Sequence, residues 1–173
     1  MNTAFKKILW SQFRAAIDML ENALNACPED LWSDPSRKPE WNPNGVVGFW
    51  HVAYHALFFL DLYLSGTADG FHPPAPFTLD EGDPAGVLPD RPYTKGELQS
   101  YLAHCRIKCR VTIESLSEAE AARVCTFPWG SMTFAELLLD NMRHVQHHAA
   151  QLNLLLRQNT GSAPGWVKGT NRG

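Results

Sequence analysis

Apolar residues recur every three or four positions along much of the chain, which is the spacing of one face of an α-helix. The first such stretch runs from Phe5 to Ala26, and Pro28 follows closely and stops the helix. A second stretch, from about Asn44 to Ser65, is apolar nearly all round, which is typical of a buried helix. Asn44 is a suitable N-cap for it, and Gly66 stands just beyond its end.

Two further helices are predicted to begin with capping boxes, in which the first and fourth residues bond each other's backbone N–H groups. One spans residues 94–116, and the other runs from residue 133 through Gln158 to Gly161; their boxes are Thr94 with Glu97 and Thr133 with Glu136. Between these helices, residues 117–120 offer a short helical turn and residues 125–130 a bend. No segment alternates as a strand.

Long connections separate the predicted helices. Residues 28–43 hold four prolines, and residues 66–93 form a connection of 28 residues with six prolines. A loop of that length is usually either functional or disordered. The whole pattern predicts an all-α fold: a four-helix bundle with long crossover loops, in one domain over residues 1–161, followed by an irregular tail over residues 162–173.

Composition and charge narrow the functional classes. The net charge is −3 and no basic block is present, which argues against nucleic acid as a partner. The N-terminal segment is amphipathic and the longest apolar run, residues 56–64, is too short to cross a bilayer, so we expect neither a signal peptide nor a membrane span. Four cysteines without a C-x-x-C motif indicate reduced thiols and a cytoplasmic protein, with Cys105 and Cys109 as small buried hydrophobes.

Two histidine pairs with a spacing of four residues lie on separate predicted helices: His51 with His55, and His144 with His148. Residues four apart lie within about 40° of each other around a helix, so both imidazoles of a pair point the same way. On the last helix, His144 and His148 fall at the inner edge of the apolar arc, whereas His147 falls outside it.

The burial of the histidines decides between two interpretations. On the second helix, Asp61 and Tyr54 are predicted to mark the less buried side, which places His55 nearer the buried centre than His51. A single buried histidine is more often a hydrogen-bonded core residue than a ligand. Two aligned pairs reverse that expectation, because each unsatisfied buried nitrogen costs about 1–3 kcal/mol. Neutral histidine is the commonest nitrogen ligand of zinc and nickel, so we predict a divalent metal site.

The pairing does not match the zinc-protease motif, because Val145 stands where H-E-x-x-H requires glutamate. The segments FWHVAYHALFFLDLYL (residues 49–64) and NMRHVQHHAAQL (residues 141–152) instead resemble the DinB/YfiT-like superfamily of four-helix metal-binding proteins. The helix lengths and the long second crossover also fit this superfamily, so the resemblance covers most of the chain.

The resemblance implies one metal ligand on the second helix and two on the last, which would be His144 and His148. Gln151 matches the glutamine that commonly follows them. The local sequence favours His55 as the remaining ligand, whereas counting back from the end of the helix favours His51.

Three histidines with an open fourth position form a catalytic or exchangeable metal site, not a closed structural one. The histidine ligands favour zinc or nickel as the ion. The resemblance implies a small-molecule substrate, attacked by a low-molecular-weight thiol in a transferase or by water in a hydrolase. The alternative is a non-catalytic, metal-stabilised binding or stress-associated module. An apolar face left over on the first helix would support a homodimer.

Two groups of residues near the predicted site allow two interpretations each. Asp61, Asp140 and Asn141 either orient the histidines through hydrogen bonds or are solvated helix residues. Three aromatic residues of the long connection either roof the metal cleft or cover the ends of the bundle: Phe71, Phe77 and Tyr93.

Overall fold

The computed structural model of the chain describes residues 2–34 and 48–169. Within these ranges the chain forms six α-helices and one antiparallel pair of strands. In chain order they are α1 (Thr3–Ala26), α2 (Glu29–Trp32), α3 (Phe49–Ser65), α4 (Lys95–Ser115), α5 (Glu118–Ala122), β1 (Val124–Phe127), β2 (Gly130–Thr133) and α6 (Phe134–Thr160). A single 3-10 turn, Asp80–Gly82, lies in the long connection between α3 and α4.

The four long helices, α1, α3, α4 and α6, form the bundle. Each packs against two of the others, because α1 and α3 both contact α4 and α6. Their inward faces carry the periodic apolar residues, and several of these are fully buried: Phe13, Ile17, Leu20, Leu57, Leu98, Leu138 and Leu152. The predicted all-α four-helix bundle with a long second crossover is therefore confirmed.

Local capping signals set most helix ends. Both predicted capping boxes are present, at the start of α4 and at the start of α6. Gly66 caps the end of α3 with a left-handed φ of 69°, a conformation that glycine adopts without steric cost. The predicted N-cap Asn44 lies outside the described residues, and the described helix α3 begins at Phe49 after Gly48.

The prediction that no segment forms a strand is wrong. Residues 125–130, expected as a bend, belong to a hairpin in which Val124 pairs with Thr133 and Phe127 with Gly130. Each strand has only four residues, and on β1 only Cys125 and Phe127 are buried. Two apolar positions are too few for an alternating pattern to stand out in the sequence. The hairpin matters because it places its turn beside the histidine face of α3 and α6.

The predicted order of burial of the two histidines of α3 is wrong, because the His51 side chain is 5% exposed and that of His55 is 28% exposed. The predicted less buried side of α3 is also wrong. Tyr54 is fully buried and Asp61 is 1% exposed, because the long connection and α4 cover that face. The Tyr54 hydroxyl donates to the Thr78 carbonyl of the connection at 3.0 Å, and Lys108 of α4 donates to Asp61 Oδ1 at 2.5 Å. In all, 14 of the 17 residues of α3 are buried. None of the helices in the described ranges combines the length and the apolar character needed to cross a membrane.

Cys105 and Cys109 of α4 are fully buried, as predicted for small hydrophobes. Burial raises the pKa of both thiols above the ordinary range, so both stay protonated at neutral pH. They belong to the bundle core.

Candidate metal centre

Three histidine side chains converge between α3 and α6 and form a cluster: His55, His144 and His148. His55 of α3 and His144 of α6 bring their Nε2 atoms to 3.3 Å, and the Nε2 atoms of His144 and His148 are 3.0 Å apart. One ring nitrogen from each histidine lies within 4.8 Å of the others. The four-residue spacing on α6 brings two of the three rings together, since it puts His144 and His148 on one face of the helix. The packing of α3 on α6 supplies the third ring.

The spacing and protonation of these nitrogens fit a divalent ion. Ligand nitrogens about 2.0–2.1 Å from a tetrahedral zinc ion stand roughly 3.3 Å apart, close to the separations found here. Burial, followed by the neighbouring histidines, lowers the pKa of both His144 and His148 to about 3. Both rings are therefore neutral at physiological pH, and neutral imidazole is the form that binds metals.

Hydrogen bonds fix the tautomers of two of the rings. They are made by the outer nitrogens, the ring nitrogens that face away from the cluster. The Nδ1 of His148 lies 2.8 Å from Oε1 of Gln151, and the Nδ1 of His55 lies 2.6 Å from Oε1 of Glu81. Amide and carboxylate oxygens only accept hydrogen bonds, so each Nδ1 carries the proton. In a neutral ring, which is the form that binds a metal, the lone pair then belongs to Nε2, the nitrogen that faces the cluster. The Nδ1 of His144 is buried and has no hydrogen-bond partner within the described residues.

Glu81, from the 3-10 turn of the long connection, joins the two histidines of α3. Its Oε2 lies 2.8 Å from His51 Nε2, while its Oε1 binds His55, and its side chain is only 9% exposed. Burial alone would raise the pKa of Glu81, but the hydrogen bonds from His51 and His55 outweigh burial and hold it below the ordinary range. The carboxylate is therefore ionised. His51, the alternative ligand from the sequence, is turned toward Glu81 and lies outside the group of three converging nitrogens.

Sequence reasoning did not single out Glu81. It is one of several acidic residues in a connection with no helical or strand period, so no local spacing marks it. Its contact with His51 and His55 exists because the connection folds back over α3, which is a long-range feature of the structure. A buried carboxylate partner for ligand histidines is the only general signal that could have directed attention to it.

His147 is exposed and lies outside the group, as expected from its helical angle. The three residues proposed as orienting partners bind elsewhere. Asp61 accepts from Lys108 and from the Tyr101 hydroxyl, and Asn141 donates to the Leu60 carbonyl at 3.0 Å. Asp140 lies 3.5 Å from Arg143. None of the three therefore orients a histidine. Asp140 is partly exposed, as expected for a solvated helix residue, whereas Asp61 and Asn141 are buried, so the solvated interpretation is wrong for these two.

An aromatic wall, formed by Phe59, Tyr63 and Trp129, flanks the cluster. The Phe59 ring lies 4.8 Å from His55 and 5.6 Å from His144, measured between ring centroids. Trp129, at the turn of the hairpin, contacts Phe59 at 5.9 Å and is 53% exposed. Burial, and secondarily Asp140, raises the pKa of Tyr63 to about 12, so the wall carries no charge at neutral pH.

The aromatic residues of the long connection pack on another side of α3. Phe77 stacks on Tyr101 of α4 at 4.4 Å, and Phe71 packs edge-on against Phe58 at 5.5 Å. Tyr93 contacts Phe77 at 4.6 Å. They therefore fill the junction between α3 and α4. The side chain that the connection directs to the histidines is Glu81.

Comparison with known proteins agrees with this architecture. A family model described as the DinB superfamily matches residues 12–152 of the chain. The crystal structure of YjoA, a DinB-like protein from Bacillus subtilis, superposes with a TM-score of 0.61 and 18% sequence identity. The match covers 92% of this chain and 98% of that one, and at this identity it shows the fold alone. None of the curated proteins gives a significant match.

Proposed function

The chain belongs to the DinB superfamily, and from that premise we propose that it is a metal-dependent enzyme that binds one divalent ion through His55, His144 and His148. The observation that carries the proposal is the convergence of three ring nitrogens within 4.8 Å of one another. Two of these nitrogens belong to rings whose outer nitrogen is bonded to an acceptor, which directs the lone pair inward.

The proposed ion is zinc or nickel, which imidazole ligands suit. Three neutral ligands leave a fourth coordination position of the ion open. The ion would supply Lewis-acid activation to a water or a thiol at that position. Glu81 is engaged by both His51 and His55, so it is held as their partner and not presented to a substrate as a general base. His144 and His148 have pKa values near 3 and do not shuttle protons at neutral pH.

The aromatic wall sets the substrate class that we propose. Phe59 and Trp129 offer an uncharged surface beside His55 and His144, which suits a small electrophile with an apolar part. The reaction is then transfer of a low-molecular-weight thiol to that electrophile, or its hydrolysis. The site is placed between helices of a bundle, a common position for metal and ligand sites.

Turnover by the metal-loaded protein tests this proposal. Zinc-loaded and nickel-loaded protein would be assayed with a panel of small electrophiles, with and without a low-molecular-weight thiol. We expect His148→Ala to abolish turnover while the circular dichroism spectrum stays helical. His147→Gln is the matched control, because this exposed residue on the same helix lies outside the cluster and should retain activity. Equal activity of the two variants would contradict the role of His148 as a ligand of a catalytic metal.

A non-catalytic, metal-stabilised module is the second candidate. It is favoured by the origin of the ligands, because an ion held by His55 and His144 would cross-link α3 to α6. Under this function, chelation lowers the melting temperature strongly and no substrate of the panel turns over.

A further inference from the structure

Glu81 occupies a special place among the groups around the cluster. Within the described ranges it is the one side chain from outside α3 and α6 that hydrogen-bonds a ring nitrogen of the cluster. It comes from the 3-10 turn in the middle of the long connection, and its side chain is 9% exposed. Its two oxygens contact two different histidines, at 2.6 Å on His55 and 2.8 Å on His51. A carboxylate held on both oxygens has little freedom to turn away.

We propose that Glu81 is a positioning residue for the metal site. Its carboxylate fixes the tautomer and ring orientation of His55, and through the same bond it couples ion binding to the packing of residues 66–93 on α3. The inference rests on the proposed function, since it requires an ion at the three converging nitrogens.

The hydrogen-bond partners of His148 and His55 differ in charge. Gln151 offers His148 a neutral amide oxygen at 2.8 Å, whereas Glu81 offers His55 an anionic oxygen at 2.6 Å. A charged acceptor makes the stronger hydrogen bond and raises the electron density on the opposite ring nitrogen. Of the three histidines, His55 therefore has the partner that donates most electron density to the ring. Carboxylate partners of ligand histidines typically change metal affinity by about 10–100-fold.

The connection is anchored to α3 on both sides of Glu81. Next to Glu81, Gly82 lies against Phe58, and a Cβ added to it would be in ordinary contact with the ring at 3.4 Å. On the other side, the Thr78 carbonyl accepts from the Tyr54 hydroxyl at 3.0 Å. His51 supports the arrangement by stacking on Trp50 at 5.1 Å between ring centroids. If the Glu81 contact strengthens ion binding, ion binding must stabilise this contact by the same free energy.

The test is a Co²⁺ titration of the full chain, followed through the visible absorption bands of the bound ion. It compares the wild type, Glu81→Gln, Glu81→Ala and Asp90→Asn. Asp90 is an exposed acid of the same connection, so its variant removes the same charge without touching the cluster. We expect Glu81→Ala to bind Co²⁺ about 10–100-fold more weakly and Glu81→Gln, which keeps an acceptor oxygen, to fall between it and the wild type. Asp90→Asn should bind as the wild type does.

Two further measurements separate positioning from a structural role. The melting temperature of each metal-free protein reports on folding alone, and limited proteolysis within residues 66–93 with and without Co²⁺ reports on the coupling. The proposal predicts that Co²⁺ protects the connection in the wild type and protects it less in Glu81→Gln. A Glu81→Gln variant with unchanged Co²⁺ affinity and unchanged protection would overturn the inference, even if its melting temperature fell. A wild-type protein that takes up no Co²⁺ would overturn the proposed function itself, and the inference with it.

Discussion

Lowering the pH should destabilise the metal-free protein through two of the clustered histidines. Burial, followed by the neighbouring histidines, holds the pKa of His144 and of His148 at about 3, against an ordinary value of 6.5. With a depressed pKa in the folded state, the unfolded chain takes up protons first. The stability that the two neutral rings confer is therefore complete above pH 6.5 and is lost as the pH falls from 6.5 toward 3.

The magnitude follows from the size of the two shifts. Each group can change the free energy of unfolding by at most about 1.4 kcal/mol per pH unit. Between pH 6.5 and pH 5 both rings stay neutral in the folded protein while most unfolded chains become protonated. The two histidines together should then remove roughly 3 kcal/mol. Single domains are stable by about 5–15 kcal/mol, so the loss is a substantial fraction of the total.

Urea denaturation in the presence of a chelator, at pH 7, 6 and 5, measures this loss. We expect the free energy of unfolding of the wild type to fall across the series and that of His148→Gln to fall less steeply. His147→Gln, which alters an exposed ring on the same helix, should follow the wild type. A wild-type free energy that is equal at pH 7 and pH 5, or a slope that His148→Gln leaves unchanged, would refute the reasoning.

Three other substitutions test a buried ion pair, a helix cap and the predicted dimer face. Asp61→Ala removes the buried partner of Lys108 and Tyr101 and should lower the free energy of unfolding in urea by about 3 kcal/mol. An unchanged urea midpoint would show that the buried pair contributes nothing to stability. Thr133→Ala removes the side-chain half of the α6 capping box and should cost about 1 kcal/mol in the same assay, and a cost no larger than that of an exposed mid-helix substitution would contradict the cap. The homodimer stays a prediction. Ile8 of α1 is 61% exposed, so Ile8→Glu should convert a dimer to a monomer in light scattering. A wild type that is already monomeric would contradict the homodimer.

Features with short-range sequence signals could be predicted. The spacing of four residues puts His144 and His148 on one face whatever the rest of the chain does. The capping boxes at Thr94 and Thr133 likewise depend on contacts three residues apart. These signals define where α4 and α6 begin and which face of α6 carries the histidines.

Features that depend on long-range packing could not be predicted from the sequence. Asp61 is buried because Lys108 and Tyr101 approach it from α4, and nothing next to Asp61 in the sequence signals those partners. The separation of roles between His55 and His51 depends on Glu81, which arrives from a connection without periodicity. The hairpin has no detectable sequence signal because β1 has only two buried positions and β2 has none, which is too few to show a period.

The central claim is that His55, His144 and His148 hold one metal ion while His51 stays with Glu81. Anomalous diffraction from crystals grown with Zn²⁺, recorded on both sides of the zinc absorption edge, tests it most directly. We expect one strong peak about 2.0–2.1 Å from the Nε2 atoms of the three histidines, with His51 still bonded to Glu81. A peak coordinated by His51, or no peak at the cluster in zinc-saturated crystals, would contradict it.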